Sequence, residues 1–451
     1  MTWREMEISG WGRSSTARVR AARPERPREI EAALAQAKAA DKLRPRDLIA
    51  RGGGRAYGDS ALNDGGHVLL TTRLNRLLGF DPRTAEVVCE PGISFADLLA
   101  TFLPRGLMVP ASPGTAFATV GGAVAADVHG KNHDRHGSFG DHVRWFELLL
   151  ADGTTRRVSA DTDPELFAAT IGGMGLTGLL RSVCFRLLPG ARPNVTVREQ
   201  RMASIDHFLT AFTEIRETAT FSVGWIDALA RGASLGRGVL ETAEFAAEER
   251  PFRPRKARAV PVDVPHVVLN RWSIRAFNEL YFRRVPTGGR ERLRSVAEFL
   301  YPLDSIRDWN RIYGRRGFYQ FQAVIPDVAA PVALRQLLET IAGAGKASFL
   351  AVLKTLGRAG RGYLSFPIRG HTLALDFPRG PGTDELLRRL EAITLDHGGR
   401  IYLAKDALLS PASLRAMYPG LPQFEEVLRR VDPDAVFTSD QARRLGLKPP
   451  R

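Results

Sequence analysis

The sequence predicts an α+β protein built in more than one part, and three observations carry that prediction. Strand-like and helix-like segments alternate irregularly before residue 190, with no repeating βαβ unit. A break falls at Pro189-Gly190-Ala191-Arg192-Pro193, where two prolines and a glycine interrupt any regular element. Beyond it the order is strand, helix, strand, strand, helix, strand, which suits an antiparallel sheet covered by helices on one face.

Residues 27–41 (PREIEAALAQAKAAD) place apolar side chains at helical spacing, and 47–54 (DLIARGGG) read as a short buried strand running into a glycine loop. HVLLTT, AEVVCEPG, ELLLADGTTRRV and GLLRSVCFRLLPG follow as strand-like pieces, and Asp152-Gly153 marks a hairpin turn within residues 151–157. The intervening helices are SFADLLATFLPRG and DPELFAATIGG, the second opened by Asp163-Pro164 and closed by a glycine pair. Past the break, strands at 317–326, 347–357 and 372–380 alternate with the helices AAPVALRQLLETIAGAG and TDELLRRLEAITLDHGG. The stretch from HGGRIYLAKDALLS onward is expected to return to the first part or to the interface, giving divisions at 1–190, 191–395 and 396–451. The chain contains no internal repeat and no low-complexity segment.

At 451 residues the chain is long enough to bury full cores, and 44% hydrophobic with 25% charged residues excludes a disordered or fibrous protein. A net charge of +15 favours an anionic partner, such as a nucleotide, a polyphosphate or an anionic membrane face. Arg250, Arg253, Arg255, Lys256 and Arg258 concentrate that charge among prolines and alanines, as either a solvated loop or a flap over an anionic or lipid-bound substrate. Nucleic acid is not the expected partner, because aromatic residues do not interleave with the basic ones. Two cysteines, Cys89 and Cys184, leave no disulfide framework. Neither a signal peptide nor a membrane span is read from the chain, so the expected location is cytoplasmic or peripheral to a membrane.

Chemistry concentrates in glycine-rich segments. RGGGRAYGD at 51–59 lacks the Gly-Lys-Ser/Thr of a phosphate-binding loop and continues into turns where a dinucleotide fingerprint requires a helix. Taken alone it is compatible with an ordinary tight turn. PGTAFATVGGAVAADVHGKNH at 113–133 and IGGMGLTG at 171–178 add two more such segments, and small residues between them let a pyrophosphate or a flat ring lie against backbone. His129 and His133 end the second segment and His136 and His142 follow it, but without a partnering glutamate or cysteine pair they predict no metal site.

These segments, with GSFGDHV, occur in the order and spacing of the FAD-binding domain of the vanillyl-alcohol oxidase type of flavoenzymes, which the chain resembles. HGKNH and YLAKD are closer still to the flavin oxidases that begin the 2-epimerisation of decaprenylphosphoryl ribose, and that resemblance extends through WNRIYG, GFYQFQAVIP, SFLAVLKTLG and SDQARRL. It implies a two-part FAD-binding domain interrupted by a substrate domain and completed by the C-terminal segment. The implied cofactor residues are Gly52, Gly53, Gly54, Arg55, Ala56, Tyr57, Gly58 and Asp59, then Gly114, Thr119, Val120, Gly121 and Gly122. Ala126, Asp127, Val128, His129 and Tyr402 are expected at the flavin ring.

On the substrate side the resemblance implies Lys131, Gln320, Gln322, Lys354, Ala374 and Lys405; the two glutamines alternate on one strand and so face the same way. A lysine in a water-poor site stabilises charge on a reduced flavin, which makes Lys405 a catalytic candidate, with His129, Tyr57 or a shuttle through Lys405 as the base. Two positions depart from relatives. Where some relatives link FAD to a histidine of the first loop this chain has Arg55, so FAD is expected to be noncovalent. Where mycobacterial oxidases carry a cysteine near the substrate it has Ala374, which puts sensitivity to thiol-directed inhibitors in doubt. The expected reaction is oxidation of a polyprenyl-phosphate-linked pentose at its 2-hydroxyl, completed by a separate NAD(P)H-dependent keto-reductase. The alternative is an aldonolactone or alditol oxidase of soluble sugars.

Overall fold

Side chains that point alternately to the helix-covered face and to the opposite face organise the second half of the chain around one large antiparallel sheet. In the computed structural model, which describes residues 2–39, 47–248, 257–265, 268–346 and 349–448, eight strands form that sheet. Their order is Arg290–Ser295, Asn194–Met202, Gly238–Phe245, Phe221–Ile226, Ala351–Leu356, Gly370–Pro378, Phe318–Pro326 and Arg400–Ile401. Helices Ile205–Ile215, Ala330–Ala344 and Thr383–Asp396 pack on one face, where Leu334, Leu337, Leu338 and Ile341 are fully buried. Period 2 then dictates the other face: Phe321 and Ala323 pack in the core, while Gln320 and Gln322 turn the opposite way. Lys354 and Ala374 follow the same rule on neighbouring strands.

The first half supplies a five-stranded sheet, a four-stranded sheet and the short pair Leu107–Met108 with Leu188–Pro189. Glu86–Cys89, Leu179–Arg186, Val143–Leu149 and Thr155–Ser159 join Leu77–Asp81 in an antiparallel sheet, with the 143–159 hairpin turning at Asp152-Gly153 as expected. Helix Phe95–Phe102 begins at Ser94, whose hydroxyl accepts from the Asp97 amide while the Asp97 carboxylate accepts from the Ser94 amide. His67–Leu70 and Leu48–Arg51 pair in parallel within a four-stranded sheet that also holds Arg4–Ser9 and Thr16–Ala22.

Chain ends meet these sheets. The amide of Leu48 donates to Val436, and the amide of Tyr402 donates to Gln322, so the last fifty residues touch both the four-stranded and the eight-stranded sheets. The helix read at 27–41 runs from Pro27 to Lys38 and closes at Ala39; residues 40–41 lie outside the described residues. So do Arg250, Arg253, Arg255 and Lys256 of the basic run and residues 347–348 of the expected 347–357 strand. Among the described residues no helix is long and apolar enough to cross a membrane.

Candidate active site

The glycine segments are in direct contact, and glycine is what permits it. A side chain at Gly52 would collide with the Thr119 hydroxyl, and one at Gly58 with the carbonyl of Asp406. The first contact presses the two glycine loops together, and the second draws the C-terminal segment onto the first loop. Arg444 locks that junction, donating to Asp59 at 2.8 and 2.9 Å and to Asp406 at 2.8 Å. The third turn joins through backbone, with the amides of Gly172 and Met174 donating to Val124 and Ala125.

These contacts enclose a cavity of about 430 Å³. Gly52, Gly53, Gly54, Arg55, Ala56 and Tyr57 line one wall, and Gly114, Thr119, Gly121 and Gly122 another. Ala126, Val128, His129 and Tyr402 stand between them and the large sheet, where the Tyr402 hydroxyl donates to the Ala126 carbonyl at 2.9 Å. Lys131, Gln320, Gln322, Lys354, Ala374 and Lys405 close the far side. Four residues expected at the cofactor lie off the cavity. Gly58 and Asp59 hold the C-terminal segment, Val120 is fully buried in the core, and Asp127 accepts from Ser365 and from the Gly140 amide. Of the other histidines, His133 accepts from the Gly357 amide and His142 donates to the His136 carbonyl.

Sequence reading missed Asp376, a fully buried carboxyl behind Gln320. Gln320 donates to it at 2.5 Å and Tyr313 at 3.1 Å. The signal was present, since Asp376 lies two residues beyond Ala374 on the same strand and so shares its face. Trp225, Glu241, Tyr281 and Arg294 also line the cavity and were not anticipated.

Titratable groups face one another across the cavity. Burial pulls the Lys405 ammonium down to about 7, opposed by Asp376 and reinforced by Lys354; its Nζ lies 3.8 Å over the Tyr57 ring. Burial also brings Lys354 and Lys131 down to about 8 each. Asp376 is pushed the other way, up to about 7, against the pull of Gln320, Tyr313 and Lys405. Among the described residues none of the three lysines makes an ion pair. His129 is held well below its usual range by burial and the lysines, and so stays neutral. Gln322 Nε2 donates to His129 Nε2 at 3.0 Å, while His129 Nδ1 is buried without a partner among the described residues.

FAD fits these walls. Arg55 presents a guanidinium 4.1 Å over Trp11 and 5.0 Å from Phe117, with its buried Nε unpaired, a cation suited to the anionic part of a dinucleotide. A Cβ at Gly114 would meet nothing within 4 Å, so backbone alone borders the open space there. The two cysteines are buried away from the cavity.

Comparison with known proteins agrees with this arrangement. Residues 20–159 match the FAD binding domain family, and residues 371–445 match the D-arabinono-1,4-lactone oxidase family. The chain is 36% identical to decaprenylphosphoryl-beta-D-ribose oxidase of Mycolicibacterium smegmatis over 98% of this chain and 97% of that protein. It is 37% identical to an uncharacterized protein encoded in the mprA 5' region of Streptomyces coelicolor, over 79% of this chain and all of that protein. Similarity to L-gulonolactone oxidase of Mus musculus is 28% and covers only 31% of each chain. A lactone-oxidase likeness confined to part of the chain, set against a match along nearly its whole length, decides the affiliation: the chain is an FAD-dependent oxidoreductase and belongs to the decaprenylphosphoryl-β-D-ribose oxidase family.

Proposed function

We propose that this protein oxidises the 2-hydroxyl of a polyprenyl-phosphate-linked pentose, of the decaprenylphosphoryl-ribose kind, to a 2-keto sugar. That reaction is the first half of a 2-epimerisation that serves cell-wall arabinan precursors. The observation that carries the reading is the set Lys131, Lys354 and Lys405, three half-buried lysines lining one cavity without a carboxylate in ion-pair contact among the described residues. Burying unpaired charge is costly, so such a wall calls for an anion, and a sugar phosphodiester beside FAD provides one.

Bound FAD supplies the hydride acceptor. Lys405 contributes a positive charge in a water-poor wall, where it favours negative charge developing during hydride loss from the sugar. His129, neutral across the physiological range, can take the departing hydroxyl proton only at Nε2, so the sugar hydroxyl has to displace the Gln322 amide that donates there. Gln320, held by Asp376, and Lys354 position the sugar and its phosphate. Tyr57 is a weaker candidate base, because burial raises its hydroxyl well above the usual range.

FAD is held noncovalently in this account, Arg55 being unable to form the bond that a histidine makes at its position. Residues 1–190 and 396–451 form the cofactor-binding part and 191–395 the substrate part. A separate NAD(P)H-dependent reductase consumes the 2-keto product, and a polyprenyl substrate requires peripheral contact with a membrane. The match of residues 371–445 to lactone oxidases favours one alternative, oxidation of a soluble aldonolactone or alditol. Anaerobic flavin reduction separates the two: bleaching by the lipid-phosphate pentose but not by the free sugar supports the proposal, and equal bleaching by both rejects it.

A further inference from the structure

Half of the large apolar side chains that stand exposed among the described residues fall between positions 262 and 306: Val262, Val268, Trp272, Phe277, Leu280 and Ile306. Three of them belong to helix Arg271–Arg283, in which Trp272 and Leu280 are 71% and 72% exposed. Trp272, Ala276 and Leu280 recur every four residues, so they form one exposed crest, while Ile274 and Asn278 on the opposite side are buried.

Charge flanks the crest with one sign. Arg271 and Arg275 are exposed and make no ion pair among the described residues, and Arg271 lies 5.5 Å from the Trp272 ring centre. The helix's one carboxylate, Glu279, is neutralised by Arg237 at 2.6 Å and by Arg283. Its inner side reaches the active-site cavity. Tyr281 lines that cavity and packs on Trp225 at 4.5 Å, and Phe277 stacks on Tyr281 at 5.6 Å. One layer of aromatic rings therefore separates the exposed crest from the cavity.

We propose that helix Arg271–Arg283 is a docking surface for an anionic phospholipid bilayer, lying in the interface with Trp272 and Leu280 inserted and Arg271 and Arg275 at the headgroups. The assignment rests on the polyprenyl-phosphate reading above. A chain of many isoprene units stays in the bilayer, since each methylene transferred to water costs about 0.8 kcal/mol, so the cavity has to be presented at the membrane. An apolar crest with an aromatic residue, a basic flank and a cavity behind it satisfies that geometry, and the charge is complementary to anionic lipid.

The test is sedimentation of the FAD-loaded full chain with phosphatidylcholine vesicles, with and without phosphatidylglycerol, run beside flavin reduction by a water-soluble short-chain polyprenyl-phosphate pentose. The wild type should bind the anionic vesicles and release them at high salt. Trp272→Ser with Leu280→Ser should weaken binding at least about tenfold. Arg271→Glu with Arg275→Glu should erase the preference for anionic lipid, and both variants should keep FAD and reduction by the short-chain substrate. Reduction by that substrate without vesicle binding, or binding unchanged in both variants, overturns the docking surface and leaves the substrate reading intact. Vesicle binding of the predicted kind without reduction supports the surface and removes the substrate reading. A wild-type dimer that ignores vesicles and dissociates on Trp272→Ser assigns the crest to a second copy and likewise overturns the proposal.

Discussion

Replacing Asp376 with Asn should move the alkaline limb of substrate-driven flavin reduction toward lower pH while FAD stays bound. The side chain keeps its shape and an acceptor oxygen for Gln320, and its new amide can donate to the Tyr313 hydroxyl once that hydroxyl turns, but the charge facing Lys405 is gone. Burial lowers the Lys405 pKa and Asp376 opposes that effect, so removing the carboxylate lets the lysine lose its proton at lower pH. A nearby opposite charge typically moves a pKa by about one to three units, which sets the scale of the shift. A shift of about one unit costs about tenfold in protonated Lys405 one unit above the wild-type midpoint and less than about twofold one unit below it. On the alkaline limb Asp376, itself at about 7, is largely ionised, so its loss is felt there. Stopped-flow reduction rates between neutral and alkaline pH read the limb directly. A uniform loss at every pH with an unmoved midpoint would refute the reasoning and make Asp376 only a support for Gln320.

Other outcomes follow from the same geometry. Arg444→Ala leaves Asp59 and Asp406 as buried carboxylates without their cation and should destabilise the fold by about 3 kcal/mol or more, read by denaturant melts; an unchanged midpoint would remove that junction from the account. Ala374→Cys should make flavin reduction sensitive to thiol-directed reagents that leave the wild type untouched, because position 374 lines the cavity and both native cysteines are buried elsewhere. Acid precipitation should release all the yellow colour into the supernatant, whereas flavin retained in the pellet would contradict noncovalent binding.

Legibility in the sequence followed the physics of each element. Strands Phe318–Pro326 and Gly370–Pro378 are buried along nearly their whole length, so apolar runs announced them, and the two glutamines inside one run pointed to the cavity face. The glycine loops were legible because clustered glycines mark close approach, and a Cβ at Gly58 would meet the Asp406 carbonyl and one at Gly52 the Thr119 hydroxyl. Arg290–Ser295 and much of Asn194–Met202 were not. Val195 and Val197 alternate as expected, but the face then passes to fully buried Glu199, which contacts Arg284 at 3.1 Å and Arg294 at 3.0 Å, so charge takes the place of the apolar signal there. Arg4–Ser9 is largely exposed and carries almost no apolar signal. Asp59 and Asp127 sit within the cofactor segments in sequence yet point at structural partners, a distinction that depends on Arg444 and Ser365 hundreds of residues away.

In the proposed reaction Lys405 acts on charge developing during hydride transfer from a lipid-phosphate pentose. Anaerobic single-turnover reduction of Lys405→Ala, compared with the wild type at equal FAD content, tests it most directly. The account predicts normal FAD content and loss of flavin bleaching by at least about a hundredfold, the scale on which removal of a stabilising group at a developing anion is felt. Bleaching at the wild-type rate would contradict it.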